Sequence, residues 1–161
     1  MSTASLDDLF EHELEDIYFA EHELTAAYEQ MAEASTDEDL VAFFEAHVEE
    51  TGSHIERLVD VFEATGEAPQ TEECEGIEGL LTEWEEFTAD HDPGPVHDYY
   101  NVVTAMKTER YEQTAYESLV ALASERGDEE AMDLLKTNLD EDEETLSDLA
   151  EMARSFDYDS L

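Results

Sequence analysis

The sequence predicts an all-α fold, an antiparallel bundle of four long helices with a short fifth helix in one long connection. Apolar residues recur at alternating steps of three and four along four segments, which places them on one face of each helix. Short turns separate the first segment from the second and the third from the fourth. All three prolines of the 161-residue chain fall in the stretch 66–95, so the long connection lies in the middle.

Capping signals mark the helix ends. Ser5 with Asp8 is a capping pair for the first helix, and Thr36 with Asp39 is expected to begin the second in the same way. Gly66 suits the left-handed position just past the end of the second helix. The helices are expected at about residues 5–34, 37–65, 76–90, 95–126 and 128–155.

The middle connection decides the topology. Its amphipathic stretch from Ile77 to Phe87 predicts the short helix, and Gly127 followed by Asp128 marks a tight turn between the last two long helices. Four helices of about 25 to 30 residues, each roughly 40 to 45 Å long, are thus joined by two short turns and one long crossover. This connectivity is that of a ferritin-like bundle, and we expect one such domain over residues 1–161.

The acidic composition excludes several classes of function. The chain has 47 Asp and Glu against 6 Lys and Arg, a formal net charge of -41. It therefore has no basic surface for nucleic-acid phosphates or anionic lipids, and we expect neither nucleic acid nor membrane as a partner. Salt would screen the self-repulsion, so the charge is typical of a halophilic cytoplasmic protein. The single Cys74 excludes an internal disulfide and a cysteine-based zinc or iron site.

An internal repeat relates the two halves of the chain. The triplet Ala27-Tyr28-Glu29 recurs 88 residues later as Ala115-Tyr116-Glu117, and the same offset takes Glu21 to Glu109. In the second helix of each half the offset becomes 91, which places His47 on Asn138 and Glu50 on Glu141. Two related helical hairpins are implied.

Each long apolar face is interrupted by polar residues near its middle, and in an antiparallel bundle these midpoints share one layer. The interruptions are Glu21, His47 to His54, Glu109 to Gln113, and Asn138 to Asp142. Buried carboxylates must be protonated, ion-paired or bound to cations. Four carboxylates, from Glu21, Glu50, Glu109 and Glu141, would balance two divalent metals. Ligation rich in oxygen, with one or two imidazoles, favours iron or manganese over zinc or copper.

The spacing of the candidate ligands fits this hypothesis and leaves alternatives open. Residues three or four apart share a helical face, so pairs within the set can chelate or bridge metal ions. His47 is a ligand or a hydrogen-bonded core histidine, and His54 a ligand, a supporting residue or an outward-facing one. Either Glu49 or Glu50 points inward, and the acids on the fourth long helix or Glu112 could belong to a solvated face. The candidate metal ligands are Glu21, His47, Glu50, His54, Glu109, Glu112 and Glu141.

Several residue patterns occur in order along the chain. They are Leu9-Phe10, Tyr18-x-Ala20-Glu21-x-x-Leu24, Ala46-His47-x-Glu49-Glu50-Thr51, Ile55-x-Arg57-Leu58, Cys74-x-x-Ile77-x-Gly79-Leu80-x-x-Glu83, Glu109-x-Tyr111-Glu112-x-x-Ala115-Tyr116 and Leu134-Leu135 with Leu139-x-Glu141. Together these patterns resemble the YciE/YciF family of ferritin-like stress-associated proteins. The likeness covers nearly the whole chain, and its crossover motif is specific. The family often has Glu-Glu where this chain has Glu141-Asp142, and a later Asp where it has Leu146.

The resemblance implies a ferritin-like homodimer with a two-metal site of helix carboxylates and histidine. It implies as ligands Glu21, His47, Glu50, Glu109, Glu112 and Glu141. On this interpretation the protein holds two iron (or manganese) ions and oxidises ferrous iron with oxygen or peroxide in stress defence. The competing hypothesis is a non-enzymatic structural or interaction protein, whose polar layer only fixes the register of the helices.

Overall fold

The computed structural model describes residues 3–161 as five α-helices and a short 3-10 turn, so the all-α prediction is confirmed. Met1 and Ser2, which the predicted domain 1–161 included, lie outside the described residues. The observed helix bounds differ by at most one residue from the predicted ones. The helices are α1 (Leu6–Ala34), α2 (Glu38–Thr65), α3 (Glu75–Asp90), α4 (Pro95–Arg126) and α5 (Glu129–Ser155), followed by the turn Tyr158–Ser160.

One predicted cap is wrong. Ser5 and Asp8 do form a capping box on α1, but the cap of α2 is Asp37, whose carboxylate accepts hydrogen bonds from the backbone of Asp39 and Leu40. Thr36 is not the cap because its hydroxyl and backbone N–H both donate to Asp98, at 2.6 and 2.8 Å. The α1–α2 turn is therefore tied to the first turn of α4.

The four long helices form a ring in the order α1, α2, α5, α4, and each is antiparallel to its neighbours. The direction follows from contacts at two heights. Glu21 of α1 meets His54 of α2, while Tyr28, seven residues further along α1, packs on His47, seven residues earlier in α2. The other neighbouring pairs show the same antiparallel pattern of contacts. These pairs are α1 with α4, α4 with α5, and α2 with α5.

The short helix α3 covers the α1–α4 side of the ring. Its Trp84 Nε1 donates a 2.7 Å hydrogen bond to Asn101 of α4. At its start, the Tyr111 hydroxyl of α4 lies 3.0 Å from Cys74 Sγ and donates to Asp16 of α1 at 2.9 Å. The crossover thus shields one side of the bundle, while the opposite side, between α2 and α5, is not covered in this way.

Apolar layers fill the bundle above and below its middle. Among residues 3–161, no helix is long and apolar enough to cross a membrane. The fully buried core includes Phe10, Leu14, Ile17, Leu24, Tyr28, Met31, Phe44, Leu58, Phe62, Tyr116 and Leu119. Between these apolar layers lies the polar layer that the sequence predicts.

Candidate metal centre

A layer of six buried ionisable side chains crosses the middle of the bundle. All four long helices contribute to this inner layer, and each side chain is at most 5% exposed. Its members are Glu21, His47, His54, Glu109, Glu112 and Asp142. Their helices bury them because each stands in an apolar series at helical spacing, so turning one outward would expose the whole series.

The internal repeat is visible in the inner layer as a crossed pair of hydrogen bonds. The Tyr28 hydroxyl of α1 donates to Glu109 of α4 at 3.3 Å and also meets Thr108 at 2.7 Å. Reciprocally, the Tyr116 hydroxyl of α4 donates to Glu21 of α1. Each hairpin therefore holds one oxygen of the other hairpin's glutamate with a phenol.

His47 lies between two carboxylates. Its Nε2 is 2.8 Å from Glu109 Oε1, and its Nδ1 is 3.3 Å from Glu50 Oε1. Because both ring nitrogens face acceptors, the doubly protonated imidazolium suits the contacts. Burial alone would lower the pKa of His47, but the hydrogen bonds to Glu109 and Glu50 outweigh it and raise the pKa to about 9.

His54 is held in the same manner seven residues, or about two helical turns, further along α2. Its Nδ1 lies 3.1 Å from Glu21 Oε1 and its Nε2 lies 2.9 Å from Glu141 Oε2. Burial opposes the charged ring, yet the negative charge of Glu21 and the hydrogen bond to it raise the pKa of His54. The contacts of both histidines therefore favour the protonated, cationic ring, which balances the negative charge of carboxylates across the bundle.

Two further carboxylates, Glu50 and Glu141, lie at the edge of the inner layer on the open α2–α5 side. Glu50 accepts a 2.8 Å hydrogen bond from Thr145 and is 31% exposed. Glu141 is 32% exposed and accepts two hydrogen bonds from the Arg57 guanidinium, at 2.6 and 2.9 Å. The His47 hydrogen bond lowers the pKa of Glu50 although partial burial raises it.

Four members of the inner layer carry oxygens that have no hydrogen-bond partner among residues 3–161. These are Oε2 of Glu21, Glu109 and Glu112 and both carboxylate oxygens of Asp142. Asp142 Oδ1 lies 3.6 Å from His54 Nδ1, too far for a hydrogen bond. Burial, followed by the charges of Glu109 and Glu21, raises the pKa of both Glu112 and Asp142 well above the usual range. Burial and these charges therefore favour the neutral, protonated form of both groups.

The structure brings five of the seven predicted ligands into the inner layer and places Glu50 and Glu141 at its edge. On α5 the buried acid is Asp142, while Glu141 is turned toward Arg57. The internal repeat pointed to Glu141, whereas the α5 apolar series, which continues to Leu149, runs through Asp142. Spacing along the helix identifies the buried acid of α5 because it determines which face of the helix each residue occupies.

The inner layer contains the donor types of a metal site, carboxylate oxygens and imidazoles, but its hydrogen bonds belong to a protonated state. Among residues 3–161, no three His, Cys, Asp or Glu side chains stand in the arrangement of a preformed metal site. The imidazoles are instead paired with the carboxylates that would join them as ligands. Unpartnered buried carboxylate oxygens are nevertheless costly without a cation or a proton, and oxygen donors with imidazole suit iron or manganese.

A cavity of about 580 Å³ lies elsewhere, at the end of the bundle formed by the α1–α2 turn and the C-terminal segment. Leu40, Val102 and Phe156 are among its lining residues, and it contains no member of the inner layer. This cavity is therefore separate from the buried carboxylates of the candidate site.

Comparison with known proteins agrees with the architecture. Residues 5–157 match a family described as a domain of unknown function, DUF892. Protein YciF of Escherichia coli is 36% identical over 154 residues, which cover 93% of each chain.

The crystal structure of the E. coli stress protein YciF superposes with a TM-score of 0.89 at 35% identity, covering 94% of this chain and 96% of that one. YcfI of Rhodopseudomonas palustris gives a TM-score of 0.88 at 36% identity, over 91% and 94% of the two chains. The five-helix architecture is thus the ferritin-like fold of YciF, and this chain belongs to the DUF892 family.

Proposed function

We propose that the inner layer binds two divalent transition-metal ions, iron or manganese, and that the protein is a di-metal carboxylate protein of stress defence. The observation that carries the proposal is the set of five unpartnered carboxylate oxygens, all buried in one layer with two imidazoles. Four carboxylates would balance two divalent cations, so that the buried layer would become neutral without added protons.

The residues that would hold the metals are the six members of the inner layer. Carboxylates would come from Glu21, Glu109, Glu112 and Asp142. His47 and His54 would contribute their imidazoles once they have lost a proton, since only a neutral ring nitrogen is a ligand. Binding of metal is therefore expected to release protons from both histidines and from the two neutral acids.

The other groups around the layer orient these ligands. Tyr28 and Tyr116 each fix one oxygen of a glutamate, leaving its second oxygen free of partners. Such supporting hydrogen bonds commonly orient ligands and tune the bound metal. The apolar layers above and below exclude water. A pair of ferrous ions would supply one electron each to oxygen or peroxide.

Metal analysis of purified protein tests the proposal. The metal-free protein is loaded without oxygen with Mn²⁺ or Fe²⁺ and desalted, and bound metal is measured by elemental analysis. We expect two ions per chain, and at least a tenfold loss of affinity in Glu21→Gln and Glu109→Gln. Glu29→Gln, an exposed acid on α1, is the matched control. Equal binding by the three variants would contradict the proposed site.

The oxidation step has a separate test. Ferrous oxidation by oxygen or peroxide is followed by absorbance in the loaded protein, in Glu21→Gln and in buffer. We expect faster oxidation only where the site is intact. A protein that binds two metals but oxidises iron no faster than buffer would keep the metal site and lose the enzymatic role.

A structural role is the second candidate, because both imidazoles already pair with carboxylates without metal. On this interpretation the layer fixes the helix register. It predicts that Mn²⁺ raises the unfolding temperature of the wild type no more than it raises that of Glu21→Gln. The resemblance also predicts a homodimer. Sedimentation of the metal-loaded protein would test this prediction.

A further inference from the structure

The carboxylates of the centre differ sharply in their access to solvent. Glu21, Glu109 and Asp142 are fully buried. Glu50 and Glu141, in contrast, are about one-third exposed while still touching the imidazoles of the inner layer. These two acids therefore connect the interior with the solvent.

Both partly exposed acids, Glu50 and Glu141, lie on the side of the bundle that the crossover leaves open. The opposite side, between α1 and α4, is covered by α3, with Trp84 bonded to Asn101 and Tyr111 wedged between Cys74 and Asp16. A hydrated cation approaching the inner layer would meet these packed side chains on the α1–α4 side. On the α2–α5 side it would meet carboxylates, which attract it.

Arg57 closes this open side. Its guanidinium reaches from α2 to α5, where Nη1 and Nη2 donate to the two oxygens of Glu141, and Nη1 also donates to Asn138 at 2.9 Å. Such a bidentate pair is directional, and it places a fixed positive charge beside the imidazole of His54. Arg57 is itself 25% exposed, so it can turn outward without crossing the core.

We propose that Glu50 and Glu141 form the route by which cations reach the inner layer, and that Arg57 is its gate. With Arg57 on Glu141, the guanidinium repels an approaching cation and occupies the carboxylate that would receive it. When Arg57 turns outward, Glu141 is free to accept the cation next to His54. This inference rests on the proposed metal site and gives a different role to two acids predicted as ligands.

The rate of Co²⁺ uptake by the metal-free protein tests the gate. Co²⁺ absorbs in the visible when protein ligands replace water, so stopped-flow absorbance gives the rate and the end point gives the stoichiometry. We expect Arg57→Gln to take up Co²⁺ about tenfold faster than the wild type, with the same end point. Arg57→Lys, which keeps the charge and loses the bidentate pair, should lie between them. Arg110→Gln, an exposed arginine on α4, is the control.

The route is tested on the acids. The double variant Glu50→Gln with Glu141→Gln should slow uptake about tenfold and leave the end point unchanged, whereas Glu49→Gln with Glu143→Gln, the exposed neighbours, should do neither. Unchanged rates in the Arg57 and Glu50/Glu141 variants would overturn the inference while leaving the metal site intact. Loss of one bound ion in the double variant would also overturn it, since these acids would then be ligands. If the wild type bound no Co²⁺, the proposed function itself would be contradicted.

Discussion

The two hairpins of the bundle, α1–α2 and α4–α5, are repeats of one another. Their first helices share a buried glutamate and a buried tyrosine at equivalent positions, whereas their second helices have different buried polar residues. On α1 and α4 the repeat is kept, because Glu21 and Glu109 occupy equivalent positions and Tyr28 and Tyr116 support them reciprocally. The buried polar side chains of α2 and α5, in contrast, are of different types. The first hairpin has both imidazoles of the inner layer, while the second has Asn138 and Thr145 at the equivalent places.

The second hairpin compensates with acids. Glu112 stands where the first hairpin has Leu24, and Asp142 stands where it has Thr51, and all four are buried. One half therefore supplies the groups that carry positive charge when protonated, and the other half supplies two extra carboxyl groups. Neither half has a complete donor set, so the proposed centre depends on their difference as much as on their symmetry.

Copying the second hairpin into the first should have the largest effect. In His47→Asn the residue at position 47 matches Asn138, and Glu109 loses its buried cationic partner. We expect the free energy of unfolding of the metal-free protein to fall by about 3 to 5 kcal/mol. Urea titration measures it, with the exposed His22→Asn on α1 as control. A loss below 1 kcal/mol would mean that the pair with Glu109 contributes little.

The pH dependence of stability should reveal the same asymmetry. The pKa of His47 is about 9 in the folded protein against an ordinary value of 6.5. Its stabilisation is therefore fully present below pH 6.5 and is lost as the pH rises through 9, a change of about 3 kcal/mol. The raised pKa values of Glu112 and Asp142 act in the same direction, because ionising them costs more in the folded protein.

Urea titrations of the metal-free protein between pH 6 and 10 measure this loss. His47→Asn should lack the part due to the imidazole and show a shallower decline. Parallel pH profiles of the two proteins would show that His47 is not the titrating group. Metal affinity should change in the opposite sense and rise with pH, since metal competes with the same protons.

The two phenols test the part of the repeat that is conserved. Tyr116→Phe should cost about 1 to 3 kcal/mol, because it removes the hydrogen bonds of one hydroxyl to both Glu21 and Asn138. Tyr28→Phe should cost about 1 kcal/mol, because its contact with Glu109 is long, Glu109 keeps His47, and its nearer partner Thr108 keeps a hydrogen bond to the backbone of α4. Thermal unfolding compares the two variants. A larger cost for Tyr28→Phe would reverse the ranking of the two hydrogen-bond networks.

The smallest effects are expected at two helix ends that the repeat does not relate but that share the same left-handed backbone geometry. Gly66 and Gly127 end the second helix of the first half and the first helix of the second, with φ of 80° and 76° and open space where a Cβ would stand. Alanine at either position should cost about 1 kcal/mol for conformational reasons alone. Urea titration should give equal losses, and a difference above 0.5 kcal/mol would show that one turn is held by more than its backbone.

The sequence predicted the fold because helix faces and turns are set by local spacing. Glu21 and Glu109 were placed correctly since each interrupts a regular apolar series, which leaves an acid no other direction to face. The partners across the bundle could not be predicted in this way. Spacing along α2 gives the faces of His54 and Arg57, but the pairing of both with Glu141 depends on the side-chain conformations and on the register of α5.

The crossed contacts of the inner layer have a consequence for how the chain folds. His47 is satisfied by Glu109, Tyr116 by Glu21, and Tyr28 by Glu109, so these buried polar groups find their partners in the opposite hairpin. A hairpin that collapsed alone would bury them unpaired, at a cost of about 1 to 3 kcal/mol for each group. The inner layer therefore disfavours half-folded states, and the two hairpins are expected to unfold together in a single cooperative transition.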